Sequence, residues 1–404
     1  MATTVAVGGG TSPAWRGGFG RLWAAAVVSR FGDSLRTAAL PLLAASLTDD
    51  PLLIASVTAC GFLPWLLFGL LGGAVADRVD QRRAMRAVDL VRAALMGAFA
   101  VAVALGHAGI ALLLVLAFAL TTLQTLFDNA ATALLPAVVP AGALASANAR
   151  LMTGQQLAGG LLAAPLVPVL LLAGPAVPYG ANAATYVLAA LLVASLRTGA
   201  PGRPPRPAGS TLRAEIAEGI AALRADRTLR WLCAATTLCN IGMGVLLATL
   251  VVHVTDGLRA GNGGYAAALT AYAAGGVAGG FLARRIAERT GRVRAVLLAG
   301  TVQTGCLVLA GTVPLLAASI GALAVFGLMG TVWNVQLTTL TQERSPDGML
   351  GRVAAAFRTL AVAGAPLGAL LGGAAAAGWG PHAPLLVAAA LFALAVASLA
   401  PLIN

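Results

Sequence analysis

The chain contains no lysine: its 26 basic residues are all arginine, set against 14 acids, and only 10% of its 404 residues are charged. A water-soluble domain carries roughly 25% charged residues, so the polar surface of an ordinary globule is missing. Without lysine there is no phosphate-binding loop of the G-x-x-x-x-G-K-[ST] kind, which leaves ion coupling or passive flux as energy sources unless a partner supplies ATP. The four cysteines (Cys60, Cys233, Cys239, Cys306) lie scattered in apolar stretches with no metal-ligand spacing and read as small buried hydrophobes. The three histidines, His107, His253 and His382, fall at the ends of apolar stretches or between them. No nucleophile–base pair can be assembled from this inventory, so no enzyme, metal or cofactor is expected.

What the sequence does have is apolar length. Hydrophobic residues make up 59% of the chain, and its mean hydropathy is +0.88. The net charge of +12 does not indicate nucleic acid, because a nucleic-acid binder gathers its charge on one solvated face. Here the arginines sit in short loops between long apolar runs. Crossing a bilayer takes about 20 apolar residues, and twelve such spans can be read: 21–46, 52–76, 84–105, 110–135, 150–173, 179–196, 229–252, 264–283, 295–313, 315–339, 351–377 and 383–401. Lipid tolerates only helices or closed barrels, and continuous runs rather than alternating decamers select helices. The N-terminal stretch lacks the charged start and cleavage site of a signal peptide, so the first span is expected to be retained.

Arginine bias sets the orientation. Arg16, Arg21, Arg78, Arg82, Arg83, Arg86, Arg150, the arginines from Arg197 to Arg230 and from Arg284 to Arg294, Arg344 and Arg352 fall on one side; the opposite loops hold Arg259 with Asp49, Asp50 and Asp256. The arginine-rich side is expected to be cytoplasmic, with both termini on it, in a multi-pass cell (inner or plasma) membrane protein. Residues 199–211, GAPGRPPRPAGST, read as an irregular linker. Beyond it Leu212, Ile216, Ile220 and Leu223 recur at helical spacing beside Arg213, Glu215, Glu218 and Arg224, the pattern of a helix lying along the membrane interface. The expected domains are therefore 1–198, a linker with interfacial helix at 199–228, and 229–404. Arg150 followed by Ala-Pro-Leu at 164–166 is echoed by Arg352 followed by Ala-Pro-Leu at 365–367, which indicates an internal duplication.

One dozen residues carry a family signal. GGAVADRVDQRR (72–83) matches the G-x-x-x-D-R-x-x-x-R-R loop between the second and third spans of major facilitator transporters, and GGFLARRIAERTGR near position 280 is a weaker echo. SRFGDSLRTAALPLLAASLTDDP (29–51), LPWLLFGLLGGAVADRVDQRR (63–83), EIAEGIAALRADRTLRWL (215–232) and SPDGMLGRVAAAFRTL (345–360) resemble the drug-exporting branch that includes macrolide efflux proteins and the enterobactin exporter. The antiporter signature G-P-x-x-G-G of span 5 reads AAPLVP (163–168) here, with a closer version, GAPLGALLGG, at 364–373 in span 11. The resemblance implies an all-α integral membrane protein of twelve helices in two pseudo-symmetric six-helix halves, exporting a hydrophobic or amphipathic small molecule such as an antibiotic, secondary metabolite or siderophore by proton antiport and alternating access. It further implies a cytoplasmic gate built from Gly73, Asp77, Arg78, Arg82, Arg83, Arg352 and Arg358, with Asp77 at the start of span 11 and Arg78 and Arg82 paired to acids such as Asp128. Import or uniport of a metabolite is the alternative within transport; a polytopic membrane enzyme or lipid-handling protein is the alternative outside it. A monomer is assumed.

Charges inside spans are costly and mark function by default. Arg30, Asp33 and Arg36 share span 1, and Asp33 lies roughly 18 Å beyond Arg21 at 1.5 Å per residue, near the bilayer middle. It reads either as a proton or substrate site in a central cavity or as a fixed partner of Arg30 and Arg36. Asp128, with Gln124 one turn earlier, is the competing proton site, or else an anchor for the arginines of the span 2–3 loop. Asp89 and Arg92, one turn apart, read as a local ion pair near the cytoplasmic end of span 3. Gln155, Asn240, Trp333, Asn334 and Gln336 complete the expected pathway, with Gln156 and Gln303 beside them. Four arginines (Arg30, Arg36, Arg92, Arg358) against three aspartates (Asp33, Asp89, Asp128) within spans lean toward an anionic or zwitterionic ligand.

Overall fold

A computed structural model of the chain describes residues 17–76, 80–140, 143–196, 212–346 and 349–402, and among these residues it is helical with no strand. The helices are α1 (Gly18–Leu47), α2 (Pro51–Ala76), α3 (Gln81–Ala104), α4 (Ile110–Val138), α5 (144–173), α6 (Val177–Ala194), α7 (Leu212–Ala225), α8 (227–257), α9 (Gly261–Thr290), α10 (Arg292–Thr312), α11 (Leu316–Arg344), α12 (350–379) and α13 (Ala383–Ser398). Eleven of them are long and apolar enough to cross a membrane. The exception among the long helices is α1: it has 30 residues, but Arg30, Asp33 and Arg36 lower its hydropathy. The short α7 forms where the sequence pattern predicts a helix; the linker at 199–211 lies outside the described residues.

Local chemistry fixes the helix ends and their irregularities. The carboxylate of Asp80 accepts from the Arg83 N–H at the start of α3, and that of Asp226 accepts from the Leu229 N–H at the start of α8, each satisfying an otherwise orphaned donor. Gly291 turns the chain from α9 into α10 with φ of +83°, a conformation that a side chain would strain. Inside α5, residues Leu157–Ala163 widen into a π-helical stretch just before Pro165 and Pro168. Proline has no N–H to give to the preceding turn, and a π bulge is one way a helix absorbs that defect.

Helix pairing repeats along the chain. α1 packs on α5 and α6, α2 on α4, and α3 on α4 and α6. In the same order, α8 packs on α12 and α13, α9 on α11, and α10 on α11 and α13. Between the two groups, α2 meets α12 and α5 meets α9. These cross-contacts gather toward the end that carries few arginines. There Gly373 of α12 sits so close to α2 that a Cβ on it would lie 2.7 Å from Ala55 and 2.9 Å from the backbone of Leu52. The 157–173 part of α5 packs on α9, whereas its 144–156 part, at the arginine-rich end, stands away. On the α5–α9 side the two groups thus part toward the arginine-rich end, while the 350–362 part of α12 stays in contact with α2.

α7 lies against α12 and is fastened there twice. Arg352 forms an ion pair with Glu218, and Gly219 lets the helix backbones approach, since a Cβ on it would come 2.5 Å from the Arg352 carbonyl oxygen.

Candidate functional site

Charge inside the first group of helices collects in one buried knot. Arg92 is fully buried at the middle of α3 and forms an ion pair with Asp33 of α1. Its Nη1 donates to Asp89 Oδ1 (3.1 Å) and Ser29 Oγ (3.0 Å), and its Nη2 to the Tyr186 hydroxyl (3.0 Å). Tyr186 of α6 in turn donates to Asp33 Oδ1 (2.7 Å), and its ring lies 4.0 Å from the guanidinium carbon, close enough for a cation–π contact. Arg36 approaches Asp33 at 3.9 Å and donates to Gln124 Oε1 at 3.4 Å. Three helices, α1, α3 and α6, are tied together by two carboxylates sharing one guanidinium. Such a charge must be partnered, because leaving it alone in a low-dielectric interior is far costlier than the pair itself.

This corrects three expectations. Asp33 and Arg36 are 5% and 4% exposed and face the interior of the first group rather than a cavity, because Arg92 and Tyr186 draw the carboxylate inward. Asp89 and Arg92 do not snorkel near the end of α3; they are mid-helix and fully buried. Gln124, 7% exposed, serves Arg36 and does not face the cavity.

The open volume lies between the two groups and runs from one to the other. A chamber of about 190 Å³ is walled by Phe62 of α2 with Asn240, Met243, Tyr272, Phe326, Trp333 and Asn334. Through Tyr272, Gly330 and Asn334 it borders a crevice of about 650 Å³ between α5, α9 and α11. Met152 and Gln156 carry that crevice to Arg30 and Gln155, and these lead to a recess lined also by Trp65, Asp128, Asn129 and Arg358. The crevice extends past Ala149, Gly280 and Phe281 toward the arginine-rich helix ends, where α5 and α9 stand apart. Arg30 donates to Asp128 Oδ2 at 3.2 Å, and both side chains remain partly exposed, 31% and 25%. Of the two acids weighed from sequence, Asp128 lines open volume and Asp33 does not.

The expected pathway residues therefore separate. Arg30, Asp128, Gln155, Asn240, Trp333 and Asn334 line the cavity. Gln336 is buried and donates to the Ala283 carbonyl (3.0 Å), holding α11 to α9, and borders only a separate recess near Arg284 and Arg292. Gln303 both lines the chamber and donates to the Phe326 carbonyl. The aromatic wall of Phe62, Trp65, Tyr272 and Phe326, and the role of Tyr186, were not anticipated. The i, i+3 spacing of Phe62 and Trp65 places them on one face, a signal that exists in the sequence but says nothing of what the face looks toward.

Of the gate residues, Asp77 and Arg78 lie outside the described residues, and of Gly73 only the helical backbone is described. Among the described residues Arg82 pairs with no acid: its Nε and Nη2 donate to the carbonyls of Val193 (3.3 Å) and Ala194 (2.5 Å) at the end of α6. A helix C-terminus presents unsatisfied carbonyls and partial negative charge, which suits a cation. Arg83 pairs with exposed Asp80 at its own helix start (3.4 Å), and Arg352 pairs with α7. Arg358 is exposed to the cavity, with no hydrogen bond or ion pair among the described residues.

Comparison with known proteins agrees with this architecture. The family model described as Major Facilitator Superfamily matches residues 22–369. The multidrug efflux pump Tap of Mycobacterium tuberculosis is 29% identical over 90% of this chain and 88% of its own length. An uncharacterized MFS-type transporter of Sinorhizobium fredii is 28% identical over 86% of each chain. Among solved structures, a variant of the nucleoside transporter NupG superposes with a TM-score of 0.78 over 95% of this chain and all of its own, at 11% identity, a likeness of fold alone.

Proposed function

The chain belongs to the Major Facilitator Superfamily, and we propose that within it the protein is a secondary active exporter of a hydrophobic or amphipathic small molecule, driven by proton influx. Membership makes it a multi-pass membrane transporter of a small molecule rather than an enzyme. In the proposed arrangement α1 is a twelfth span, residues 1–198 and 229–404 form two six-helix halves joined by the linker and α7 (199–228), and the arginine-rich side with both termini is cytoplasmic in the cell membrane. The repeated pairing of α1–α6 and α8–α13 supports the two halves, and the similarity to Tap supports export.

The observation that carries the reading is the continuous cavity between the halves. It is open toward the arginine-rich end, closed at the other, apolar and aromatic on one wall, and furnished with a single acid–arginine pair, Arg30–Asp128, on the opposite wall. Rocking the halves about that cavity exposes it to each side in turn. Opening the far end requires parting α2 from α12 and α5 from α9. Asp128 is the proposed proton carrier: protonation neutralises the partner of Arg30, and intramembrane acids commonly serve in such relays. Asp33, locked by Arg92, is assigned to holding α1, α3 and α6 together.

The test is transport of a ligand panel in inverted membrane vesicles with an imposed pH gradient. Uptake into the vesicles accompanied by substrate-dependent proton release, lost in Asp128→Asn at equal protein abundance, is the expected result. Accumulation indifferent to every ion gradient would assign the protein to uniport instead.

A further inference from the structure

The charged groups on the cavity wall specify more than the presence of a ligand. Among the described residues lining its connected chambers there are three: Arg30, Asp128 and Arg358. Arg30 and Asp128 are joined at 3.2 Å. Among the described residues Arg358 has no counterion, although it shares the recess with them and with Trp65, Asn129 and Gln155. Four arginines near the arginine-rich helix ends are occupied, Arg82 on the end of α6, Arg284 on Glu288 (2.6 Å), Arg292 on Glu343 and Arg352 on Glu218, and none of the four lines these chambers.

The free guanidinium has an apolar counterpart. Ala365, two turns beyond Arg358 on α12, lines the aromatic chamber with Phe62, Tyr272, Phe326 and Trp333. Seven residues of helix span roughly 10 Å at 1.5 Å each, so a positive group and an aromatic pocket stand about that far apart. Trp333 walls the chamber with its ring but is only 4% exposed, and its indole Nε1 is buried away from the open volume.

Resting on the exporter reading above, we propose that the substrate is a monoanionic amphipath: a carboxylate, sulfonate or phosphate-diester head seated on Arg358, and an aromatic or polycyclic body in the chamber walled by Phe62, Tyr272 and Trp333. A planar guanidinium meets such oxyanions in a bidentate fork, and the paired Arg30–Asp128 contributes no net charge to the contest. A lipophilic cation in the same position faces an unopposed positive charge, which selects against it.

The experiment uses the purified full-length protein in lipid nanodiscs and three probes sharing a naphthylamine body: the anion 1-anilinonaphthalene-8-sulfonate, neutral N-phenyl-1-naphthylamine and cationic N-(1-naphthyl)ethylenediamine. Empty nanodiscs supply the partition baseline. The sulfonate is expected to bind tightest and to weaken with added salt. Arg358→Gln is expected to lower its affinity about tenfold, the scale of a lost charged hydrogen bond, with the neutral probe changed less than twofold and Arg358→Lys recovering part of the loss. Equal binding of sulfonate and neutral probe to the unaltered protein, or strongest binding of the cation, overturns the proposal without any variant; so does an Arg358→Gln protein that holds the sulfonate undiminished. If the neutral probe binds and Trp333→Ala abolishes that binding while the sulfonate gains nothing, the charge assignment alone falls. If no probe binds in a Trp333-dependent way, the cavity itself is not the ligand site, and the exporter reading loses its support as well.

Discussion

The two groups of helices solve the same packing problem by different means. α1–α6 place Asp33, Asp89 and Arg92 in lipid-depth interior and tie α1, α3 and α6 with them. α8–α13 have no such knot and approach through glycine. A Cβ on Gly368 would lie 1.9 Å from the Ile241 carbonyl oxygen of α8, one on Gly275 1.8 Å from the Ala324 carbonyl of α11, and one on Gly327 2.0 Å from the Tyr272 carbonyl of α9. In the first group the close glycines meet side chains rather than backbone, a Cβ on Gly32 falling 2.0 Å from Thr185 Oγ1, one on Gly154 2.7 Å from Trp23 and one on Gly159 2.6 Å from Ser34 Oγ, while Gly61 and Gly97 face nothing within 4 Å. A membrane interior offers no hydrophobic drive to bring helices together, so buried polar links and close backbone packing are the two available adhesives. This chain weights them differently, with buried charged links only in the first group among the described residues and neutral links such as Gln336 to the Ala283 carbonyl beside close backbone packing in the second.

The sharpest way to break that contrast is Arg92→Leu. It strands Asp89 without a cation and leaves Asp33 only Arg36 at 3.9 Å, and removing one partner of a buried pair costs about 3–5 kcal/mol. Denaturation of the purified protein in detergent should show it as the largest loss of any substitution named here. The double change Asp89→Asn, Arg92→Leu should recover most of that loss, since the charges that remain, Asp33 and Arg36, face each other. Next in size is Gly368→Ala, where one methyl group forces α8 from α12; overpacking of this sort costs roughly 1–3 kcal/mol. Its counterpart Gly97→Ala should be neutral or stabilising by up to about 1 kcal/mol, because a helical glycine gains from a side chain that meets nothing. If both glycines respond alike, the second group is not held by close approach.

Smaller effects refine the picture. Tyr186→Phe removes a hydroxyl that donates to Asp33 and accepts from Arg92, and should cost about 1–3 kcal/mol, the range for hydrogen bonds to charged groups. Arg352→Gln breaks an exposed pair with Glu218 and should change stability by under about 1 kcal/mol. A matching double-mutant cycle with Glu218→Gln measures the coupling.

Much of this arrangement is legible in the sequence. Polar residues within apolar spans stand out, so Arg30, Asp128, Gln155, Asn240, Trp333 and Asn334 could be singled out before any fold was known. The alternation of apolar runs and arginine loops gave the helices. The partners were not legible. Arg92 lies 59 residues from Asp33, and nothing in linear spacing distinguishes that pairing from the nearer choice of Arg30 or Arg36. Arg82 resembled a ligand for a carboxylate, yet the α6 carbonyls that hold it belong to the backbone and leave no trace in side-chain identity. The aromatic wall was equally silent, since a phenylalanine in a span reads the same whether it faces lipid, core or cavity.

The central claim is that one cavity between two groups of helices is exposed alternately to the two sides of the membrane. In a protein with Cys60, Cys233, Cys239 and Cys306 replaced by alanine, a single cysteine at Asn334→Cys reports it directly. Asn334 is exposed at the junction of chamber and crevice. An impermeant maleimide should label it from the arginine-rich face at rest and from the opposite face during transport, with only the second reaction blocked when a cross-linker holds Met152→Cys and Phe281→Cys at their resting separation across the crevice. Labelling from one face alone, unchanged while transport proceeds, would contradict the account.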